Sequence, residues 1–402
     1  MRAFPIIASL VALFILAIAN VGPALRAEVS PAAIEAHYTP LPDRAVIPPT
    51  MACADLPKRD FLSLKGAPSR ISSAELVKGE SGEEFCFVKG MIAPQIQFEL
   101  HLPTKSYTGR YLQGGCGGAC GVIYKTVSPS CDNRVAFGGQ FAVGLNNSGH
   151  VGPEIWDKVW SAYSAQARAD YAYRAAHVSA VVAKEILAAY YGRKPDFSYF
   201  MGCSGGGREA LMEAQRYPDD FDGIIAGSPA IWVTPSVTRI IFESQIAQDE
   251  QGNQILTPQS SEILHKAVMA ACDGLDGLKD GQIDNPRACT FDPGRLQCRA
   301  RQTDNCLTER QVTVMRQLYR GPVDSEGKHL YPGGEPYGSE LQWAGPASFT
   351  AKGYTVAANQ IKFMIYGGET HQDFNWRSWH PDKAALADLM DKGGFYNANK
   401  TD

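Results

Sequence analysis

The chain has 402 residues, of which 45% are hydrophobic, so it has the length and apolar content to bury a sizeable core. A disordered or fibrous protein is thereby excluded. Its 38 lysine and arginine residues against 42 acidic residues give a net charge of -4. This balance excludes the global basic surface expected of a protein that binds nucleic acid or an anionic membrane.

The N-terminal segment is typical of a secretory signal peptide. An apolar run from Ala3 to Ala19 follows Arg2 and precedes the small residue Ala27, which is the charged, apolar, small-residue order of such peptides. We expect cleavage after Ala27 and a soluble mature protein that is secreted or periplasmic, without membrane attachment. The alternative is an uncleaved anchor, because about 17 apolar residues almost span a bilayer.

Short strands are predicted in the next part of the chain. Apolar side chains alternate from Phe85 to Leu102, which indicates two strands joined around Gly90 to Pro94. Another strand runs from Gly109 into a glycine-rich loop that ends at Gly121, and Phe141 to Leu145 forms one more.

Helices and strands then alternate. Apolar spacings of three, four and seven over 161–191 predict a long helix that ends at Gly192. A strand at Phe197–Met201, a tight turn, a helix at Gly206–Arg216 and a strand at Gly223–Gly227 follow. This order predicts a parallel α/β fold.

Residues 232–380 differ from the rest of the chain. They are rich in aromatic residues, carry four cysteines and an acidic glycine-rich loop, and show little strand periodicity. We interpret them as a lid segment, inserted into the chain and packed over the sheet. The first part of the core then comprises residues 28–231, and residues 381–402, with a short helix at Ala384–Met390, begin the return to the core.

A Gly-x-Ser-x-Gly motif, Gly202-Cys203-Ser204-Gly205-Gly206, lies between a predicted strand and a predicted helix. Such a sharp turn lifts the serine oxygen above the sheet, and the flanking glycines permit close approach of the backbone. The Gly205 amide would face an oxyanion at a helix N-terminus, where the dipole favours negative charge. We therefore predict Ser204 as a nucleophile, with a chance match as the alternative.

The glycine-rich loop after Leu112 is a candidate for the second oxyanion amide, because that amide usually comes from a loop after an earlier strand. Gly117 is the predicted donor, with Gly115 and Gly118 as alternatives. The loop could instead be a tight turn fixed by Cys116 or Cys120. A phosphate cradle is disfavoured, since no lysine with serine or threonine follows.

An acidic loop in the lid segment favours calcium. Asp273, Asp276, Asp280 and Asp284 are three or four residues apart, and glycines between them bend the backbone so that carbonyls can point inward. Oxygen donors in a turn-rich loop suit Ca²⁺, although the spacing is not that of an EF-hand. We expect a structural ion here, and the alternative is a solvated acidic turn.

All ten cysteines follow the predicted signal peptide, and an even set in an exported chain indicates disulfides. A zinc cluster is the alternative, because Cys116 and Cys120 have a tolerable ligand spacing. No paired cysteines or histidines follow at finger spacing, however.

A serine hydrolase of this topology takes its acid and then its histidine after the nucleophile. The histidines after Ser204 are His265, His329, His371 and His380, and none lies in a strand-end loop late in an α/β pattern. His371 has the best local chemistry, although it lies within the lid segment. Each of them alone is better interpreted as a surface or core histidine.

From Cys53 to Asp402 the chain resembles the tannase and feruloyl esterase family. The resemblance is carried by Gly202–Pro218, by Phe221–Ala230 and by the acidic loop from Cys272 to Pro286. It implies an α/β-hydrolase core with a large lid inserted after the nucleophile, a calcium site in the lid, and hydrolysis of esters of aromatic acids such as hydroxycinnamic or gallic acid.

The resemblance also assigns residues. Ser204 matches the nucleophile and Gly205 an oxyanion amide. The calcium ligands that it implies are three carboxylates and two main-chain carbonyls, namely Asp273, Asp276, Asp280, Leu278 and Gln282. The disulfides that it implies are Cys53 with Cys86 in the core, and Cys272 with Cys289 and Cys298 with Cys306 in the lid.

The chain departs from the family pattern in one respect. The family pairs the cysteine before the serine with one directly after the catalytic histidine, but this sequence has no His-Cys dipeptide and no late His-Gly-x-x-Asp segment. We therefore expect that the C-terminal strands with the triad acid and base are missing. Cys203 should then be free, and Cys116, Cys120 and Cys131 should share one bridge, which leaves two unpaired thiols.

Two functions follow from these expectations. The first is a secreted serine ester hydrolase in which Ser204 forms an acyl-enzyme. The second is a truncated, catalytically silent chain that binds aromatic ligands at most, and for these 402 residues alone we expect negligible turnover. Ferulate, gallate and terephthalate-type esters all stay open as substrates, and the sequence does not predict an oligomeric state.

Overall fold

A computed structural model describes residues 44–79, 82–123, 139–302, 304–345, 355–368, 373–380 and 382–399. The chain divides into two compact units, Met1–Ala45 and Val46–Asp402, and the fold below is that of the second. The predicted signal peptide, Cys131 and His371 lie outside the described residues. Within the described ranges, no helix is both long enough and apolar enough to cross a membrane.

Seven strands form one mixed sheet in the order β1-β2-β3-β5-β4-β6-β7. Strands β1 to β3 and β5 form antiparallel pairs in that order, whereas β5, β4, β6 and β7 run parallel. The strands are β1 (Ser69–Lys78), β2 (Glu84–Ile92), β3 (Ile96–Pro103), β4 (Arg110–Gly114), β5 (Phe141–Asn146), β6 (Phe197–Cys203) and β7 (Gly223–Gly227). The predicted α/β class is thereby confirmed.

Burial follows the position of each strand. Every residue of β4 is buried, as expected for a central parallel strand that is covered on both faces. Strand β1, which the sequence analysis did not predict, lies at the antiparallel edge and has only two buried residues, Ser69 and Ile71. Its apolar alternation is therefore too weak to detect without the pairing to β2.

The helices with defined bounds are α1 (Ala165–Ala169), α2 (Ala175–Tyr191), α3 (Gly205–Arg216), α4 (Val233–Ile246), α5 (Pro258–Cys272), α6 (Glu309–Arg320) and α7 (Lys383–Gly393). Helix α2 packs on the sheet through Val178, Val182 and Ile186, and it ends at Gly192, whose φ of +75° closes the helix as predicted.

The single helix predicted over 161–191 is interrupted. Helix α1 passes into a π-helical turn at Asp170–Arg174 before α2 begins. The buried Asp170 carboxylate accepts hydrogen bonds from Gln166 at 2.9 Å and from Arg174 at 2.7 Å, and these bonds bracket the turn. Apolar spacing does not distinguish the wider π turn from an α-helix, so the sequence pattern missed it.

The lid segment has an apolar core of its own. Leu264 on α5, Met315 and Leu318 on α6, and Trp343 are buried together there. Both helices begin with a capping box, at Thr257 and at Thr308. Separately, α4 packs against α7 and against a helical segment at 355–365, so residues near the C-terminal end of the described chain contact the start of the lid segment.

Candidate active site

Ser204 occupies a sharp turn between β6 and α3. Its backbone has φ +59° and ψ -114°, a conformation that is costly for a residue with a side chain and that occurs mainly where function requires it. The Ser204 amide donates to the Gly227 carbonyl at 3.0 Å, and the Ser204 carbonyl accepts from the Ala230 amide at 3.2 Å. These bonds to the end of β7 hold the turn, and the side chain is exposed.

Glycines around Ser204 allow main chains to pack closely. A Cβ atom on Gly202 would lie 2.4 Å from the Gly206 carbonyl oxygen, and one on Gly205 would lie 2.6 Å from the Gly118 carbonyl oxygen. A Cβ atom on Gly206 would lie 2.9 to 3.2 Å from backbone atoms of Gly115 and Cys116. The glycine-rich loop therefore packs directly against the start of α3.

The loop leaves two amides for an oxyanion. Gly117 and Gly118 have no hydrogen-bond acceptor for their amides among the described residues, and Gly205 has none within α3 because it is the first residue of the helix. Four neighbouring amides are already paired, those of Gly115, Cys116, Ala119 and Cys120. The geometry thus retains the predicted Gly117 and its alternative Gly118, whereas Gly115 donates to the Met201 carbonyl at 2.9 Å.

Glu209 holds the glycine-rich loop in place through hydrogen bonds. This carboxylate on the first turns of α3 is only 5% exposed, and it accepts hydrogen bonds from the Cys116 amide at 3.0 Å and from the Ser148 hydroxyl at 2.7 Å. Burial raises the pKa of Glu209 above its usual range, and the nearby Arg208 opposes that shift. Glu209 therefore positions the loop backbone opposite Ser204.

Arg208 ties α3 to the π-helical turn. Its fully buried guanidinium donates to the carbonyls of Tyr171 at 2.8 Å and Ala172 at 2.6 Å, and it lies 4.4 Å from the centroid of the Tyr171 ring. The Tyr171 hydroxyl in turn donates to the Gly118 carbonyl at 3.1 Å. The π-helical turn is thus linked to the glycine-rich loop through the Tyr171 side chain.

Two further ionisable groups are buried beside the loop. His150 stacks on Trp160 with ring centroids 3.6 Å apart, and burial lowers the pKa of this imidazole to about 4. Lys158 is 4% exposed, and burial, with the Arg208 charge, lowers its pKa to about 8. The sequence analysis missed Glu209, Arg208, His150 and Lys158. The only available signal was the charged pair Arg208-Glu209 directly after the glycines of the motif.

The candidate histidines do not meet Ser204 in the described structure. His265 binds the buried Glu340 at 2.8 Å within the lid segment, and His329 and His380 are exposed. Among the described residues, no imidazole nitrogen forms a hydrogen bond with the Ser204 hydroxyl. The interpretation of these histidines as core or surface groups agrees with these positions.

The structure contains the three disulfides that the resemblance implied, Cys53–Cys86, Cys272–Cys289 and Cys298–Cys306. It also pairs Cys116 with Cys120, which leaves no thiolate there for the zinc alternative.

The prediction that Cys203 is free is wrong, because Cys203 is disulfide-bonded. No cysteine is free in the part of the chain that the structure describes, so the expected pair of unpaired thiols is also wrong. The prediction rested on the family's pairing of this cysteine with one next to the catalytic histidine, and this sequence has no His-Cys dipeptide.

The acidic loop is exposed and held by its own backbone. Asp273 accepts from the Gly281 amide at 3.0 Å, and Asp276 accepts from the Leu278 amide at 2.9 Å and from the Asp284 amide at 3.3 Å. These amide bonds lower the pKa of Asp276. Asp280 likewise accepts from the Gln282 amide at 3.1 Å. The donor chemistry fits Ca²⁺. However, no three carboxylates of this described loop have oxygen atoms that all lie within 4.8 Å of one another.

A family model described as tannase and feruloyl esterase matches residues 81–385, which is most of the chain. The chain belongs to the tannase and feruloyl esterase family. This agrees with the resemblance carried by the nucleophile motif and its flanking segments.

Two relatives illustrate the range within the family. A probable feruloyl esterase B-2 from Aspergillus flavus is 35% identical over 67% of this chain and 50% of its own length. A mono(2-hydroxyethyl) terephthalate hydrolase from Piscinibacter sakaiensis is 32% identical over 66% of this chain and 49% of its own length. The chain therefore spans about half the length of these curated relatives.

Solved structures show the same fold. Feruloyl esterase B from Aspergillus oryzae matches 87% of this chain and 72% of its own chain, with a TM-score of 0.73 and 25% identity. Tannin acyl hydrolase from Aspergillus niger matches 85% of this chain and 72% of its own, with a TM-score of 0.56 and 18% identity, and supports the fold alone.

Proposed function

We propose that the chain carries the nucleophile and oxyanion site of a carboxylic ester hydrolase. Ser204 Oγ attacks the ester carbonyl carbon, and the carbonyl oxygen becomes an oxyanion that accepts hydrogen bonds from the amides of Gly205 and Gly117. Collapse of the tetrahedral intermediate expels the alcohol and leaves an acyl-enzyme, which water then hydrolyses to the acid. The observation that carries the proposal is the strained turn at Ser204, together with the unpaired amides of the loop that packs against the start of α3.

Esters of aromatic acids are the proposed substrates. Ile231 and Trp232 directly follow Ala230, whose amide donates to the Ser204 carbonyl, and they are 41% and 50% exposed. Large apolar side chains beside a nucleophile suit an aromatic acyl group. The names of the relatives, feruloyl esterase and terephthalate monoester hydrolase, support the same substrate class.

A second candidate function is binding of such ligands without turnover. Attack by Ser204 needs a general base to accept the hydroxyl proton. No described imidazole contacts that hydroxyl, and this observation favours the second candidate for these 402 residues on their own.

Covalent labelling separates the two functions. The purified chain is incubated with a fluorophosphonate probe and with methyl ferulate, and the adduct at Ser204 and the released ferulate are measured by mass spectrometry and chromatography. Labelling and turnover that Ser204→Ala abolishes support the esterase. Binding of ferulate by the unaltered chain, with neither label nor turnover, supports the second candidate. Turnover that survives in Ser204→Ala would contradict the assignment of the nucleophile.

We also propose that the acidic loop binds a structural calcium ion through Asp273, Asp276 and Asp280, with main-chain carbonyls of Leu278 and Gln282. The support is an oxygen-only donor set in a loop closed by the Cys272–Cys289 disulfide. Calorimetric titration with Ca²⁺ should show one site that Asp276→Asn weakens. Unchanged binding in that variant would exclude the loop.

We also propose that the chain is exported to an oxidising compartment, and the support is its disulfides. Disulfides of this number persist in secreted or periplasmic proteins and are rare in the cytosol. Mass spectrometry of the protein from the native cell fraction would show whether the mature N-terminus follows Ala27.

A further inference from the structure

A second group of chemically active side chains lies away from Ser204. His177 belongs to α2, Glu213 to the last turns of α3, and Asp220 to the turn between α3 and β7. Glu213 is nine residues along α3 from the nucleophile, about 13 Å at the rise of an α-helix. The group therefore takes no part in the proposed ester chemistry.

The three side chains converge on one point. One ligand atom from each lies within 4.8 Å of the other two, and the His177 Nδ1 atom is 2.6 Å from Asp220 Oδ2. The Tyr217 ring stacks on the His177 imidazole with centroids 3.8 Å apart and holds its plane. The His177 and Asp220 side chains are 29% and 15% exposed, so the group has access to solvent.

Glu213 is the least expected member of the group. It is 0% exposed, and neither of its carboxylate oxygens has a hydrogen-bond donor among the described residues. The Lys184 ammonium, which attracts Glu213 electrostatically, donates its hydrogen bond to the main-chain carbonyl of Asp220. A buried carboxylate beside a second carboxylate requires a proton or a cation between them.

We propose that His177, Glu213 and Asp220 bind a divalent transition-metal cation of the Zn²⁺ class. One imidazole nitrogen with carboxylate oxygens is the donor set that such ions favour, and Ca²⁺ or Mg²⁺ would instead require oxygen donors alone. Water supplies the remaining coordination. Ligand atoms around one such ion are about 3.3 Å apart, so His177 and Asp220 separate slightly and their mutual hydrogen bond is replaced by the two bonds to the metal.

Cobalt titration tests the site without reference to activity. The disulfide-intact chain is freed of metal with EDTA, dialysed, and saturated with Ca²⁺ to occupy the acidic loop; Co²⁺ is then added and its visible absorption is recorded. Calorimetry with Zn²⁺ gives the stoichiometry. We expect one site, and a loss of affinity of at least about tenfold in both His177→Gln and Glu213→Gln.

His265→Gln is the matched control, because His265 also faces a carboxylate, Glu340, but no third ligand joins this pair among the described residues. It should leave Co²⁺ binding unchanged. Circular dichroism shows whether each variant is folded, and Glu213→Gln keeps the shape of the buried side chain if His177→Gln does not fold. Absence of Co²⁺ binding, or binding that is the same in Glu213→Gln and in the unaltered chain, would overturn the proposal and leave a shared proton between Glu213 and Asp220.

Discussion

At the scale of the residue, the clearest cost to the free energy of folding is the burial of Lys158 beside the glycine-rich loop. Lys158 is almost wholly buried, and its ammonium has no hydrogen-bond acceptor among the described residues, although Asp157 and Glu154 attract it electrostatically. Burying an ammonium without a close partner opposes folding. A charge buried in this way, within electrostatic reach of Arg208 on α3, is the kind of feature that exchanges stability for function.

We predict that Lys158→Met stabilises the protein at pH 7 by about 1 to 3 kcal/mol. The pKa is about 8 in the folded state and 10.5 ordinarily, so between these values the unfolded chain holds the proton and the folded chain does not. Stability of the unaltered protein therefore rises with pH through this window, and the advantage of the variant shrinks. Urea unfolding at pH 7, 9 and 10 measures the difference.

The exposed Lys65→Met is the control for that measurement, since it removes a charge without relieving burial. A Lys158→Met gain that is equal at every pH would show that the ammonium is not desolvated. A loss of stability at pH 7 would show that its attraction to Asp157 and Glu154 outweighs burial.

Glu209 supplies a second prediction at this scale. Glu209→Ala leaves the Cys116 amide and the Ser148 hydroxyl without their acceptor, which we expect to destabilise the fold by about 2 to 4 kcal/mol. Misplacement of the loop should also slow labelling of Ser204 by about tenfold or more. Glu209→Gln keeps one acceptor oxygen and should lose less on both measures, and Glu326→Ala, an exposed lid carboxylate, should change neither. Equal labelling in Glu209→Ala would mean that the loop does not contribute to the oxyanion site.

At the scale of the element, α3 organises the site. Ser204 directly precedes it and Gly205 is its first residue. Its buried Arg208 and Glu209 fix the π-helical turn and the glycine-rich loop, and its last turns present Glu213. One helix of twelve residues therefore connects the proposed nucleophile, the glycine-rich loop and the proposed transition-metal group. Substitutions on its buried face should affect positions that are distant in sequence.

The sequence predicted the elements that depend on local pattern. The strand at Gly223–Gly227 and the turn at Ser204 were located closely, because glycine spacing and apolar runs dictate both. The π-helical turn at Asp170–Arg174 was not predictable, since Arg208, more than thirty residues later, satisfies the carbonyls that the wider turn leaves free. The bonding of Cys203 was misjudged for a similar reason: disulfide pairing depends on tertiary contacts.

The disulfide that closes the acidic loop should determine the stability of the lid segment. Cys272 and Cys289 are both buried in the lid core and are 17 residues apart. Replacing both with serine should destabilise that core by about 3 kcal/mol. Limited proteolysis should then cut the lid segment faster while the described strands of the sheet stay resistant. The Cys298→Ser, Cys306→Ser double variant, with a shorter and more exposed bridge, should be less sensitive. Equal cleavage of all three proteins would contradict a disulfide-supported lid.

At the scale of the whole molecule, the sheet combines two kinds of strand pairing with different tasks. The antiparallel strands β1 to β3 pack with α2 in the larger apolar core, and the parallel strands β4, β6 and β7 end together near Ser204. Loops at the carboxyl ends of parallel strands are the usual place for a site in an α/β fold. The motif that carries the family resemblance and the sheet topology thus both indicate the carboxyl ends of these parallel strands as the site.

The short bridge between Cys116 and Cys120 has a consequence for when the site can exist. It ties together the two ends of the segment that presents Gly117 and Gly118, and both sulfur atoms are buried. In a reducing cytosol this tie would be open, so a newly made chain would carry Ser204 without an ordered oxyanion loop.

We therefore expect fluorophosphonate labelling of Ser204 to fall in a Cys116→Ser, Cys120→Ser variant while the sheet stays folded by circular dichroism. Unchanged labelling would show that the glycines and Glu209 order the loop without the bridge. A fall in labelling would mean that oxidation of this cysteine pair is the step that completes the proposed site, and that a chain with the pair reduced is chemically dormant.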